Sequence, residues 1–305
     1  MTYSVRTDRL GRRFGNTEAL SGLDLEVAPG TVLGVLGHNG AGKTTAVRIL
    51  TTLLAPSSGR AFVAGHDVVR EPGAVRARIA VAGQEASLDE RLTGRENLML
   101  LARLQKVAKR AAGARTAEML ERFGIAHAAD RLLSAYSGGM RRRLDLAACL
   151  VVPRPVVFLD EPTTGLDPAS RAEMWGAIED LVSGGAALVL TTQYLEEADR
   201  LADQIVVLSG GRTVASGTPA ELKRRVGERR IHVALTYAAD VPEAARRLER
   251  HAPEIDARAG RLSLPAPDGP QDLRAVLEAL DDVAVEEASL SQPTLDDAFF
   301  ALAGR

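Results

Sequence analysis

The segment at 37–45, Gly-His-Asn-Gly-Ala-Gly-Lys-Thr-Thr, is the feature that most constrains how this chain can fold. Two glycines five positions apart are followed by Lys43 and Thr44, which is the pattern of a phosphate-binding loop. An apolar run at 31–36 predicts a buried strand before the loop, and 45–50 continue at helical spacing after it. The backbone N–H groups of such a loop and the positive end of the helix dipole both attract phosphate, so the segment predicts an anion cradle.

The chain is therefore predicted to bind a nucleoside triphosphate. In this pattern the Lys43 ammonium bridges the β- and γ-phosphates, and the Thr44 hydroxyl ligates Mg²⁺. The alternative, a glycine-rich turn beside a surface lysine, leaves the flanking strand and helix unexplained. The loop residues that we expect to bind the nucleotide are Gly37, His38, Asn39, Gly40, Ala41, Gly42, Lys43, Thr44 and Thr45.

Composition narrows the class of protein. With 305 residues, 46% of them hydrophobic and 26% charged, the chain has the make-up of one large or two unequal globular domains. The net charge is −2, so nucleic acid is not an expected partner. The single cysteine, Cys149, excludes an intrachain disulfide and suits a reducing cytosol. We find no signal sequence and no apolar run near the ~18 residues of a membrane helix, so we expect any work at a membrane to be done from its surface.

A second informative segment, at 155–163, joins four apolar residues directly to Asp160 and Glu161. This pattern predicts a buried parallel strand that carries carboxylates to its C-terminal edge, where open α/β sheets bind ligands. Beside a phosphate loop, Asp160 is expected to hold Mg²⁺ and Glu161 to accept a proton from attacking water. The alternative is a strand that simply ends in a charged turn.

Ser137 is predicted to be the N-cap of a helix whose apolar positions include Met140, Leu144 and Leu150. Taken alone, the Ser-Gly-Gly start favours a capped helix with a close-packed glycine pair. Because it lies about twenty residues before the Asp-Glu strand, we favour a functional role in which this helix start binds an anion.

Together these segments resemble the ATP-binding subunit of an ABC transporter, over residues 4–225 and in the expected order of six motifs. The family's signature loop is usually Leu-Ser-Gly-Gly-Gln, and here Tyr136 and Met140 stand at its two ends. The resemblance implies an aromatic that stacks on adenine, a Q-loop that senses Mg²⁺ and couples to a membrane partner, a signature loop and a D-loop. The matching residues are Phe14, Gln84, Ser137 with Gly138 and Gly139, and Asp167. For Phe14 a core aromatic is the alternative.

The family's switch histidine follows the strand at 187–192, and in this chain that position is Gln193. Glutamine can donate a hydrogen bond to the γ-phosphate but cannot carry a positive charge, which puts the hydrolysis rate in question.

Three further segments, at 136–145, 192–198 and 293–299, resemble the daunorubicin-resistance type of ATP-binding subunit. That type pairs with a separate multi-span permease to export hydrophobic drugs. The resemblance implies a peripheral protein on the cytoplasmic side of the cell membrane. It also implies a homodimer, in which two ATP molecules with Mg²⁺ lie between phosphate loops and the signature loops of the opposite copies.

The expected fold is α/β: a phosphate-loop ABC ATPase domain at 1–225, with a mixed central sheet, an N-terminal antiparallel β portion and a helical insertion at about 88–135. A small α/β accessory domain at 226–305 is expected to be a dimerisation or packing module.

Several local structures follow from the pattern. We expect a capping box at Thr93 before an apolar face of Leu98, Leu101 and Leu104, a late hairpin at 206–214, a charged linker at 221–230 and a final helix capped by Thr294.

Other functions stay open at this point. A soluble ABC ATPase for repair or translation usually carries two ATP-binding units or a long coiled coil, and this chain shows one loop and no sustained heptads. A motor for export of lipid or another substrate fits the same motifs. A phosphate-loop kinase or GTPase would not need the Ser-Gly-Gly helix start.

Overall fold

The computed structural model describes residues 3–83, 88–225, 227 and 229–303, with side chains described as far as Phe299. The chain divides into two compact units, Met1–Pro219 and Ala220–Arg305. The division at 225 that the sequence suggests lies a few residues further along the chain. Among the described residues no helix is both long and apolar enough to cross a membrane.

The strands of the first unit are β1 (Val5–Phe14), β2 (Thr17–Leu23), β3 (Glu26–Val27), β4 (Val32–Leu36), β5 (Ser58–Val63), β6 (His66–Asp67), β7 (Ile79–Ala82), β8 (Val156–Asp160), β9 (Ala187–Thr192), β10 (Gln204–Ser209) and β11 (Arg212–Gly217). Its helices are α1 (Lys43–Leu50), α2 (Pro72–Arg76), α3 (Gly94–Leu104), α4 (Lys109–Arg122), α5 (Gly138–Leu150), α6 (Pro168–Ser183) and α7 (Leu195–Leu201).

From the unit boundary onward the elements are α8 (Pro219–Arg224), β12 (Arg230–Leu235), α9 (Val241–Arg247), β13 (Glu254–Asp256), β14 (Arg261–Pro265), α10 (Pro270–Ala279), β15 (Val285–Ser291) and α11 (Leu295–Ala303).

The central sheet of the first unit has six strands in the order β11-β10-β4-β9-β8-β7, parallel except for β11. Every residue of β4, β8 and β9 is buried, which explains why these strands are nearly continuous apolar runs. Because parallel strands end at one edge of a sheet, the segments that follow these three strands lie along that edge. The predicted mixed sheet is confirmed.

The N-terminal strands form a second, antiparallel sheet in the order β2-β1-β5-β6, with β3 paired to β1. The antiparallel β portion expected at the N-terminus is thus confirmed, whereas β5 and β6, which come after the phosphate loop, were not anticipated. Side chains from both sheets and from α1 share one hydrophobic core, which includes Leu20, Ile49, Val63 and Phe158.

The helical insertion begins with the predicted capping box. The Glu96 N–H donates to Thr93 Oγ1 at 3.2 Å, and the Thr93 N–H donates to Glu96 Oε2 at 2.8 Å. The predicted apolar face is wrong at its end, because Leu104 is 69% exposed. Helix α3 buries Leu98 and Ala102 one turn apart, and Leu104, two positions after Ala102, points away from that face.

The second unit is a four-stranded antiparallel sheet in the order β13-β14-β12-β15, whose buried face packs against α9 and α10. The strands and helices of this unit agree with the small α/β accessory domain expected from the sequence. The linker predicted at 221–230 is wrong over α8, which Leu222 anchors by burying its side chain. Helix α11 follows Thr294, whose hydroxyl accepts from the Asp297 N–H at 3.1 Å, as the N-cap prediction required.

Candidate ATP-binding and hydrolysis site

Two glycines shape the loop between β4 and α1 because no Cβ fits at their positions. A Cβ on Gly37 would lie 2.5 Å from the Leu208 carbonyl oxygen. A Cβ on Gly42 would lie 2.6 Å from the Ala19 carbonyl oxygen, and φ at Gly42 is +106°, a left-handed conformation that favours glycine. The two invariable glycines of the phosphate-loop pattern are thus required by the close approach of neighbouring backbone.

Lys43 is the first residue of α1, and its side chain is 4% exposed. The ammonium reaches back across the loop and donates to the carbonyl oxygens of Gly37 at 2.6 Å and His38 at 3.3 Å. It also lies 3.7 Å from Glu161 Oε1. Since the N-cap of α1 is Gly42, no side chain caps this helix, and its first N–H groups point into the loop.

The two acids meet the loop at the end of β8. Asp160 is 5% exposed, and its carboxylate accepts a hydrogen bond from the Thr191 hydroxyl on β9. Glu161 has φ of +51°, and its N–H donates to the Thr191 carbonyl oxygen at 2.9 Å. Thr164 Oγ1 donates to Glu161 Oε2 at 3.4 Å. The Asp160 carboxylate is therefore fixed by Thr191, and the Glu161 carboxylate is held beside the Lys43 ammonium.

The donor set near the loop suits magnesium rather than a metal held by protein alone. Thr44 is exposed on the first turn of α1, and Asp160 supplies a carboxylate oxygen. Across the described ranges no group of three or more His, Cys, Asp or Glu side chains could hold a metal. Mg²⁺ takes one or two protein oxygens and completes its shell with phosphate oxygens and water, so these residues fit it. Gln84, the third expected magnesium contact, lies outside the described residues.

Phe14 ends β1 and is 46% exposed, so the alternative of a core aromatic is not supported. The Arg12 guanidinium lies 4.6 Å from the centre of its ring and is itself fixed by donating to the Ala55 carbonyl oxygen at 2.8 Å. This cation–π contact orients an aromatic side chain that still offers surface to a stacking base.

The Ser-Gly-Gly start of α5 packs against Ser170, which lies close to Asp167 on α6. Ser137 is the N-cap of α5 and accepts from the Met140 N–H at 3.3 Å, as predicted. Asp167 caps α6 and accepts from the N–H and the hydroxyl of Ser170 at 2.9 and 2.7 Å, which lowers the pKa of its carboxyl. A Cβ on Gly139 would lie 3.3 Å from the Ser170 hydroxyl, so these two loops are packed together.

Gln193 follows β9 and is exposed at the same sheet edge as the two acids. The hydroxyl of the preceding Thr192 accepts from the Tyr194 N–H at 2.9 Å. This hydrogen bond closes a turn that leads into α7. The structure therefore brings Gln193 to the edge where the phosphate loop and Glu161 lie.

Three residues of this region were not found from the sequence. Thr191, a hydroxyl in an otherwise apolar strand, could have been noticed as the partner of an acid. Glu197 is fully buried on α7, where its Oε1 accepts from the Trp175 indole N–H at 3.1 Å. Arg142 donates only to backbone carbonyl groups around the acids, and such contacts leave no signal in a sequence.

A phosphate loop facing an Asp-Glu strand end, with a separate capped Ser-Gly-Gly helix, defines the ATP-binding cassette class of ATPase. Comparison with protein families agrees: residues 20–164 match the model of the ABC transporter family, and residues 217–303 match the C-terminal domain of DrrA1-3-like ATP-binding proteins. The chain belongs to the DrrA-like ATP-binding proteins of the ABC transporter family, and it is an ATPase. The family and the subtype expected from the sequence are confirmed.

Individual relatives match over nearly the whole chain. Daunorubicin resistance ATP-binding protein DrrA3 of Streptomyces coeruleorubidus is 51% identical over 99% of this chain and 96% of its own length. Daunorubicin/doxorubicin resistance ATP-binding protein DrrA of Streptomyces peucetius is 47% identical over 99% and 93%. Nod factor export ATP-binding protein I of Rhizobium meliloti is 34% identical over 100% and 89%.

Among solved structures, an ATP-binding subunit of an ABC transporter superposes with a TM-score of 0.67 at 25% identity, over 73% of this chain and 93% of that one. An ATP-binding cassette in its ADP conformation superposes with a TM-score of 0.66 at 22% identity, over 74% and 95%. These likenesses support the α/β ABC fold described above.

Proposed function

We propose that this chain is the ATP-hydrolysing motor that powers export of a hydrophobic drug through a separate multi-span permease, on the cytoplasmic side of the cell membrane. The observation that carries the proposal is the similarity to a daunorubicin resistance protein over 99% of the chain, which includes the C-terminal unit as well as the ATPase unit. The Nod factor export relative, at 34% identity, makes export of a lipid or another substrate the second candidate.

The proposed chemistry uses the residues at the sheet edge. The loop at 37–45 with Lys43 would bind the phosphates of ATP, and Thr44 and Asp160 would hold Mg²⁺, which supplies charge neutralisation when bound. Glu161 would take a proton from the attacking water, because its carboxylate is fixed beside Lys43 at the end of β8. Gln193 would donate a hydrogen bond to the γ-phosphate.

A head-to-tail homodimer is the proposed working form. Ser137 and Gly138 are exposed at the start of α5, and the helix dipole makes this end attractive to phosphate. In the dimer each Ser137-Gly138-Gly139 start would cover the ATP on the other copy's loop. Asp167 would stand next to that contact, because the Ser170 hydroxyl donates to Asp167 and accepts from Arg143 of α5 at 3.2 Å.

The ATPase assignment of Glu161 is tested by Glu161→Gln, which keeps the size of the side chain and removes the base. We expect normal ATP affinity, turnover lower by about 10²–10⁴, and an ATP-bound dimer seen as a doubled mass in light scattering. Glu179→Gln, at an exposed ion pair with Arg200, is the matched control and should behave as wild type. A fully active, monomeric Glu161→Gln protein would be evidence against both the base and the dimer.

Export is tested by expressing the chain with a candidate multi-span permease in a drug-sensitive host and measuring drug efflux. Efflux should require both proteins and should stop with Lys43→Ala. If the chain neither co-purifies with a permease nor changes its ATPase rate beside one, the soluble ABC ATPase alternative is the better account. Efflux of lipid but not of drug would favour the second substrate class.

A further inference from the structure

The Arg142 side chain is partly buried beside the two acids at the end of β8, and its hydrogen bonds all go to backbone groups. It lies on α5, and its side chain is 16% exposed. All three guanidinium nitrogens donate to backbone carbonyl oxygens. The contacts are Nε to Pro162 at 2.7 Å, Nη1 to Gly83 at 2.8 Å, and Nη2 to Glu161 at 2.7 Å and Asp160 at 3.3 Å.

These four acceptors come from two places. Gly83 follows β7, and the other three belong to the end of β8 and the turn after it. Only the planar fork of arginine can reach four carbonyl groups spread in this way, because a lysine ammonium is a single point donor. Asp145, one turn further along α5, lies 3.8 Å from Nη1 and helps to hold the guanidinium in place.

These hydrogen bonds of Arg142 constrain the backbone of Glu161 in particular. Its φ of +51° places a non-glycine residue in the left-handed region, which costs about 1–3 kcal/mol and persists only where neighbouring structure enforces it. Both of its backbone polar groups are fixed from outside its own strand. The N–H donates to Thr191 on β9, and the carbonyl oxygen accepts from Arg142 on α5 at 2.7 Å.

We propose that Arg142 is a positioning residue for ATP hydrolysis: it holds the backbone of Glu161 in its left-handed conformation and thereby aims the carboxylate at the attacking water. The inference rests on the proposed role of Glu161 as the base. It also means that the helix beginning at Ser137 and the catalytic acid are joined within one copy, so a displacement of α5 is transmitted to Glu161.

The test compares two substitutions of Arg142 with a matched arginine. Arg115 also donates to backbone carbonyl groups of the α5 region, at Val151 and Leu150, but at the other end of that helix. We expect Arg142→Met to lower kcat by about 10–10², the loss that follows from a small misplacement of a catalytic group, with ATP affinity and KM nearly unchanged. Arg142→Lys should recover part of the loss. Arg115→Met should lower Tm and leave kcat unchanged.

A double variant separates this inference from the role of Glu161 itself. If Arg142 acts through the carboxylate, single-turnover hydrolysis by Arg142→Met/Glu161→Gln should equal that of Glu161→Gln alone. Multiplicative losses would overturn the inference, as would wild-type kcat in Arg142→Lys or a loss of ATP affinity equal to the loss of kcat. If Glu161→Gln alone hydrolyses ATP at the wild-type rate, the proposed base is wrong instead. Should Arg142→Met fail to fold, the Lys variant alone decides between these outcomes.

Discussion

Gly94 and Tyr136 form a contact that predicts a specific compensation between two mutations. Tyr136 stands where the ABC signature usually has leucine, and its side chain is 8% exposed between the helical insertion and α5. Its hydroxyl donates to the Ala128 carbonyl oxygen at 2.8 Å. A Cβ on Gly94, the first residue of α3, would overlap this hydroxyl and lie 3.0 Å from Tyr136 Cζ.

The magnitudes follow from these contacts. Gly94→Ala should lower the free energy of unfolding by about 1–3 kcal/mol, the usual cost of overpacking. Tyr136→Phe should cost about 0.5–1.5 kcal/mol for the lost hydrogen bond. The lower part of that range is expected, since the Ala128 oxygen also accepts from the Arg131 N–H at 3.0 Å. Because removal of the hydroxyl makes room for the new methyl group, the double variant should lose clearly less than the sum of the two single losses.

The assay is urea unfolding followed by the fluorescence of Trp175, the only tryptophan. Gly113→Ala is the control in the same helical region, because its Cβ meets only Met99 Cε at 3.6 Å and alanine is the better helix former there. It should stabilise the protein by about 0.5–1 kcal/mol. Additive losses for Gly94→Ala and Tyr136→Phe, within about 0.5 kcal/mol, would refute the proposed steric conflict.

Four further outcomes are expected. Lys43→Ala should weaken ATP binding at least about tenfold, measured by equilibrium titration, because a charge-assisted contact contributes about 1.5–3 kcal/mol. Gln193→Ala should lower phosphate release by about 10–10³, the range for a lost transition-state donor, whereas Gln193→His should keep it. Burial raises the pKa of Glu197 above its ordinary 4.5, so its contribution to stability is complete below that pH and is lost as pH rises through the folded pKa. The Tm of Glu197→Gln minus the Tm of the wild type should therefore increase from about pH 5 to 8. A decrease in this difference would contradict a raised pKa for Glu197. Burial also raises the pKa of Cys149 to about 12, so iodoacetamide should label it at neutral pH only in the denatured chain, as mass spectrometry can show.

The parts of the fold that the sequence predicted are those set by short, local patterns. The phosphate loop, the strand ending in Asp160 and the N-caps at Ser137 and Thr294 each depend on a few adjacent residues, and the structure has them where they were expected. The roles of Glu161, Gln193 and the other site residues stay predictions, because structure alone does not measure them.

What the sequence could not predict depends on contacts between distant segments. The apolar repeat within α3 does not decide which of its side chains are buried, because Ala102 lies in one cluster with Ala112 of α4 whereas Leu104 stays exposed. The segment at 221–230 is rich in charge, yet it forms α8 as far as Arg224 and buries Leu222. Arg142 was overlooked because its partners are carbonyl groups, which every residue possesses.

At Glu161, whose backbone is left-handed, a substitution that increases stability can remove activity. Glycine adopts φ near +51° without steric cost, so Glu161→Gly would relieve the strain while it removes the carboxylate. A screen for thermostable variants that ignores turnover would therefore tend to enrich an inactive protein. For the same reason glutamine, which keeps the strain, is the fair comparison when the contribution of the carboxylate to the rate is measured.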